Sequence, residues 1–255
     1  MLLNNRYQLQ EPIGRGGLST IYRGWDTYLK RFVAVKLLRE IYCTNPSVVR
    51  RFQYDAELRY SLKHLNIVQV YDYGYSNDNY YMVMELIEGI DLRRYLRSRG
   101  TLETDRAIMI ANNIALGLGT AHSLGIVHRN MNALHILMGH DGSIKLTSFC
   151  IANGIEEVQY YGTEHPDNEI ITPATDIYGI GIVMYEMLTG HAAFDGDTPV
   201  SVVMQHRYVT LKPPSQLNSN IPAVLEEIIM RCLEKEPVMR FRNGSELARA
   251  LESLM

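Results

Sequence analysis

The chain has 255 residues, 46% of them apolar and 21% charged; that is globular composition with room for a sizeable core, and it excludes long disorder. A formal net charge of −3 leaves no basic footprint, which excludes nucleic acid as the default partner. Cys43, Cys150 and Cys232 have no metal-ligand spacing and read as free thiols of a reducing cytoplasm.

The first five residues are too short and polar for a signal peptide. Residues 7–13 and 19–24 are predicted strands joined by the glycine-rich stretch 14–19. Such a hairpin lets backbone N–H groups approach phosphates, because no Cβ blocks the way. Residues 32–38 form a third, apolar strand with Lys36 inside it, and 46–62 have a helical pattern. Two more strands, 67–73 and 80–85, flank a polar turn at 76–79. Residues 104–124 are helical, with Gly117 and Gly119 permitting close packing. Two short strands, 136–138 and 143–146, surround His140-Asp141-Gly142. Helices follow at 175–190, 224–233 and 245–254. The longest apolar-rich run, 177–185, is far short of the roughly 20 residues of a membrane span. A chain without a span or a leader is expected in the cytoplasm.

Five stretches carry more than pattern. Gly14–Ser19 is followed by Val33-Ala34-Val35-Lys36. His128-Arg129-Asn130 is followed five residues on by His135. Thr147-Ser148-Phe149-Cys150 comes next, and then the helix opened by Thr175-Asp176. In this order and spacing they resemble the bacterial eukaryotic-like (Hanks-type) serine/threonine protein kinases, and the resemblance covers essentially the whole chain. It implies an α+β, bilobal protein-kinase-like fold. The N-lobe, residues 1–86, would be five-stranded with one regulatory helix; the hinge would fall at 85–89, and a mainly helical C-lobe at 90–255.

The resemblance also assigns residues. Gly14, Gly16 and Lys36 would meet the phosphates; Ile21, Ala34 and Leu137 would sandwich adenine; Glu85 and Ile87 would present hinge backbone to it. Asp55 stands where a helix Glu normally pairs the strand Lys, one methylene shorter, so a Lys36–Asp55 pair needs an inward helix shift of roughly 1 Å. His128, Arg129, Phe149, Asp176 and an Asp167–Arg240 pair would hold the scaffold, with Asp176 accepting hydrogen bonds from the His128–Arg129 backbone.

The reacting groups depart from the family pattern. The acid-base Asp is Asn130, expected at a solvent-facing site; the Lys near the γ-phosphate is Asn132; the metal-binding Asn is His135; the metal-binding Asp is Ser148. An amide is no useful base near neutral pH, and a hard cation wants carboxylate. The segment 151–167 is about three residues shorter than the family's substrate-docking segment. The resemblance therefore implies a pseudokinase, a kinase-fold binding or scaffold protein. It leaves room for weak ATP binding without magnesium, and no metal is expected. The partner would be a protein, unidentified, with a homodimer open by family analogy. The alternative is a serine/threonine kinase or other ATP-dependent transferase with relocated catalytic residues, for which Asp141 or Glu156 would have to reach the phosphate site through an unusual loop path.

Overall fold

The computed structural model describes residues 1–149, 171–196 and 198–255. The chain divides into two compact units, Met1–Glu88 and Gly89–Met255.

The first unit is one antiparallel sheet covered by helix. Its strands are β1 (Leu2–Leu3), β2 (Tyr7–Arg15), β3 (Ser19–Asp26), β4 (Arg31–Leu38), β5 (Val70–Ser76) and β6 (Asn79–Met84), in the order β1-β2-β3-β4-β6-β5. The five expected strands are thus joined by a sixth. Two residues are too few for a sequence period to register, yet Leu3 is fully buried opposite Tyr7.

Alternation divides the side chains of β4. Val33, Val35 and Leu37 turn to one face and pack with Leu3, Tyr7, Tyr81 and Val83. Ala34 and Lys36 turn to the other, where the register sets Ile21 and Met82 beside Lys36 and Met84 beside Ala34. That face receives α2 (Pro46–Ser61), which follows the short α1 (Glu40–Cys43). Helix α2 starts where Asn45 accepts from the Ser47 and Val48 N–H groups, with Pro46 filling a first-turn position that needs no donor.

The second unit is mainly helical. A three-stranded sheet of β7 (Gly89–Asp91), β8 (Ile136–Gly139) and β9 (Ile144–Leu146) lies in the order β7-β8-β9. The helices are α3 (Leu92–Arg99), α4 (Thr104–Ser123), α5 (Pro173–Thr189), α6 (Pro199–Tyr208), α7 (Ala223–Cys232) and α8 (Gly244–Glu252). Helix α5 buries residues around its whole circumference, including Ile177, Ile180, Val183, Met184 and Met187, and so forms the centre of this unit. Helices α4 and α8 meet closely: a Cβ at Gly244 would collide with the Ala115 carbonyl. Helix α6 leaves little trace in the sequence, because its apolar residues have no one-sided arrangement. Among the described residues no helix is long and apolar enough to cross a membrane.

Candidate functional site

In the first unit the glycine-rich turn is a tight extension of the β2–β3 hairpin, where Gly16 N–H donates to the Ser19 carbonyl at 2.8 Å. A Cβ at Gly14 or Gly16 would find its nearest neighbour 3.7 Å away, an ordinary contact. Among the described residues no contact requires glycine there, and Gly16 is exposed. This fits a phosphate approaching the backbone. Ile21, Ala34 and Lys36 share one sheet face by register. Glu85 is partly tied down: its N–H donates to the Gln69 carbonyl at 2.8 Å, and its carboxylate accepts the Gln69 N–H at 3.3 Å. Ile87 is half-buried.

Asp55 is placed differently from the sequence expectation. It forms no ion pair with Lys36; its Oδ2 lies 3.8 Å from Arg59 Nη1, one turn along α2. The reason is geometric, because residues four apart share a helix face.

The second unit holds the loop between α4 and β8. His128 is fully buried, and its N–H donates to Asp176 Oδ2 at 2.7 Å. The Arg129 N–H donates to Asp176 Oδ1, also at 2.7 Å. A third donor is His122, whose Nε2 lies 2.8 Å from Asp176 Oδ2. The tautomer follows from the other ring nitrogen, since Nδ1 accepts the Gly244 N–H at 3.1 Å and Nε2 therefore carries the proton. His122 lies on α4, and the sequence reading passed over it; the only available signal was a histidine on the apolar side of a helix.

The loop is left-handed at Arg129 (φ 68°), as is the chain at Ser148 (φ 61°). Two non-glycine residues in that region hold strain that surrounding contacts must offset. The contacts are present. His128 Nε2 lies 2.9 Å from the Thr147 carbonyl, and its ring packs on Phe149 with centroids 4.6 Å apart. The Thr147 N–H donates to the His135 carbonyl at 2.9 Å.

The positions of the reacting groups close on one another. The Asn132 Nδ2 donates to Asn130 Oδ1 at 2.8 Å and to the Asn130 carbonyl at 3.1 Å, while Asn132 Oδ1 accepts the Leu134 N–H. His135 Nδ1 lies 2.7 Å from the same Asn130 carbonyl, so Nδ1 bears the proton and donates. Asn130 is 6% exposed, which corrects the expectation of a solvent-facing site. Its side-chain oxygen is used by Asn132, and the pair turns inward together. Leu137 is half-buried on β8, on the face opposite Ile136 and Met138.

Magnesium with ATP is the usual requirement of this chemistry. A neutral hydroxyl at Ser148 and an imidazole at His135 do not fit a hard cation that binds through carboxylate oxygen. Among the described residues no cluster of three His, Cys, Asp or Glu could hold another metal. Asp141 accepts the Ser143 N–H at 2.9 Å within the β8–β9 turn, and hydrogen bonds from Ser143 hold its carboxyl below the usual range. Glu156 and Asp167 lie outside the described residues.

Arg240 is 1% exposed and anchors the end of this unit to α5. It donates to the carbonyls of Glu234 (2.7 Å), Ala174 (3.0 Å) and Lys235 (3.0 Å), with its guanidinium over the Tyr178 ring.

Residues 7–250 match the protein kinase domain family. A probable serine/threonine-protein kinase of Clostridium perfringens is 36% identical over 265 residues, which cover 99% of this chain and 39% of the relative. The serine/threonine-protein kinase PrkC of Bacillus subtilis is 35% identical over 257 residues, covering 96% of this chain and 40% of PrkC. The chain thus spans about two fifths of the length of these relatives. The crystal structure of the Mycobacterium tuberculosis PknI kinase domain is similar in fold, with a TM-score of 0.80 at 21% identity, covering 100% of this chain and 98% of that one. A family match over nearly the full length, and a fold of one helix-covered sheet unit and one helical unit, establish that the chain belongs to the protein kinase family.

Proposed function

We propose that this member of the family works as a pseudokinase, binding a protein partner through its folded surface and taking ATP weakly without a metal. The observation that carries the reading is the closed loop: Asn130, Asn132 and His135 satisfy one another, and no carboxylate stands at position 130 or 148. Phosphoryl transfer in this family is positioning plus charge stabilisation by an Asp, a Lys and metal ligands. Loss of a general base costs about 10²–10⁴ in rate, and loss of one electrostatic contact about 10²–10³. Even a combined factor of about 10⁵, allowing for non-additivity, takes a turnover of about 1–100 per second to about 10⁻⁵–10⁻³ per second. The exposed glycine turn and Lys36 support retained phosphate contact.

The names of the relatives favour a second reading, a serine/threonine kinase whose chemistry is carried by relocated groups. For it we propose Asp141, an exposed acid of the β8–β9 turn. Radiolabelled ATP incubated with the chain and with Lys36→Ala separates the two. The pseudokinase reading expects no labelling above the Lys36→Ala background, whether of itself or of added protein. Strong labelling that disappears in Lys36→Ala establishes the second reading.

A further inference from the structure

Helix α3 carries Arg93, Arg94, Arg97 and Arg99 and no acid. Asp91, just before it, is spent on the cap, where its Oδ1 accepts the Arg94 N–H at 2.8 Å. Arg93 is half-buried, and its charge acts inward on Glu186 of α5. Arg94, Arg97 and Arg99 are exposed, and among the described residues none of these three side chains is in an ion pair. By contrast, Arg231 and Arg242 both reach Glu246, and Arg23 reaches Glu88. The arrangement on α3 works against the helix itself. Arg93 and Arg97 stand four apart and Arg94 and Arg97 three apart, so like charges crowd one side. The helix dipole favours Arg97 and Arg99 in the last turn but opposes Arg94 in the first. A chain of net charge −3 thus gathers cations where its own local electrostatics resist them. A local rule broken without an internal return marks a surface with an external use.

We propose that the outward face of α3, formed by Arg94 and Arg97 with Arg99 adding to the field, docks an acidic segment of a partner protein, a short run rich in Asp and Glu. The inference rests on the reading of the chain as a partner-binding protein and deepens it, by naming the surface and the chemistry that it takes. The charge complementarity is specific in kind: a guanidinium is a planar fork that matches a carboxylate with two parallel hydrogen bonds. An incoming acid between Arg94 and Arg97 also relieves their mutual repulsion, which nothing described within the chain does. The face is ill suited to the other anionic partners. Leu92 is buried, Tyr95 and Leu96 are half-buried, and Ser98 is the exposed neighbour of the two arginines. The helix therefore presents no aromatic face for a base to stack on and no apolar side to enter a bilayer.

The test is fluorescence anisotropy of the full chain with a labelled peptide of alternating Glu and Ser, beside the same peptide with Gln in place of Glu. The Glu peptide should bind at low salt and weaken as salt screens the exposed charges, while the Gln peptide should not bind. Arg94→Gln with Arg97→Gln should lower affinity for the Glu peptide about tenfold, the size of two exposed ion pairs. Arg50→Gln with Arg51→Gln removes the same charge from α2 and should leave that affinity unchanged. An equal loss there means that only net charge is sensed and overturns the inference, as does Glu-peptide binding that survives in the α3 variant or is absent from the wild type. Phosphatidylglycerol vesicles and a single-stranded RNA serve as rival ligands, and a tighter α3-dependent affinity for either rejects an acidic protein segment as the occupant. Should the double variant not fold, Ser98→Glu, which adds an acid to the same face, decides: affinity should fall by a similar factor, and an unchanged affinity overturns the inference. The radiolabel assay keeps the two readings apart. Labelling of protein with α3-dependent peptide binding intact ends only the pseudokinase reading, whereas no labelling and no peptide binding ends only this inference.

Discussion

His122 and Asp176 meet at 2.8 Å, Nε2 to Oδ2, with both side chains fully buried. Through this contact α4 and α5 hold the same carboxylate that fixes the His128–Arg129 backbone, and Gly244 at the start of α8 completes the chain of donors. A single carboxylate thus collects three donors from two segments. It is the group on which the loop's left-handed turn at Arg129 depends.

Replacing Asp176 by Ala leaves those three donors unpaired, at about 1–3 kcal/mol each. The unfolding free energy should fall by at least about 3 kcal/mol in denaturant melts. Asn130→Ala, which removes one buried acceptor of Asn132, should cost about 1 kcal/mol. Equal losses would mean that Asp176 does not carry the loop.

Stability should depend on pH through His206. It is buried between Tyr178, Phe194 and Lys235, and burial, aided by the Lys235 charge, lowers its pKa from 6.5 to about 4. Between those values the unfolded chain binds the proton and the folded chain does not, so stability falls as pH drops from 6.5 towards 4, by about 3 kcal/mol. Glu186 acts in the opposite sense: burial raises its pKa, so its contribution is complete at low pH and is lost as pH rises through the folded value. Melts of the wild type and of His206→Gln across pH 4–7 isolate the histidine. The slope should flatten in the variant, and an unchanged slope would reject the assignment.

Gly179 on α5 sits against the loop between α4 and β8. A Cβ there would come 2.6 Å from the Met131 carbonyl and 2.7 Å from the Met131 Cβ. Since that oxygen belongs to backbone held on both sides by Asn130 and Asn132, it has little freedom to retreat. Gly179→Ala should therefore cost about 1–3 kcal/mol, the usual range for an overpacked core. A melting curve that matches wild type would show that the loop yields easily.

Nucleotide should stabilise the fold with little help from magnesium. At a ligand concentration 100-fold above Kd, ATP adds about 2.7 kcal/mol, and thermal shifts with ATP should be nearly the same with magnesium or EDTA. A tenfold gain in affinity on adding magnesium would point to a coordinating acid, with Asp141 the first to substitute.

Much of the fold was legible because its signals are local. The apolar run around Lys36, the apolar run of β6, and the N-terminal proline and asparagine of α2 act within a few residues of themselves. Element identity follows from them, although β5 begins three residues later than its pattern suggests. Chemical identity was equally legible: that positions 130, 132, 135 and 148 carry no carboxylate is a property of the sequence alone. Helix α6 was missed because its apolar residues have little one-sided arrangement, and β1 because two residues make no period.

Partnership was decided by tertiary structure. The sequence offers Asp55 to Lys36 by position along the chain, whereas packing of α2 on the sheet buries Arg59 and brings it to the acid instead. Asn130 looked exposed because amides favour water, yet Asn132 supplies the donor that lets it turn inward. His122 gave no pattern at all, since its importance lies in Asp176, 54 residues away. Composition and spacing determine which groups a chain possesses. Which of them meet is settled by burial, because a buried charge or amide must find a partner wherever the fold places one.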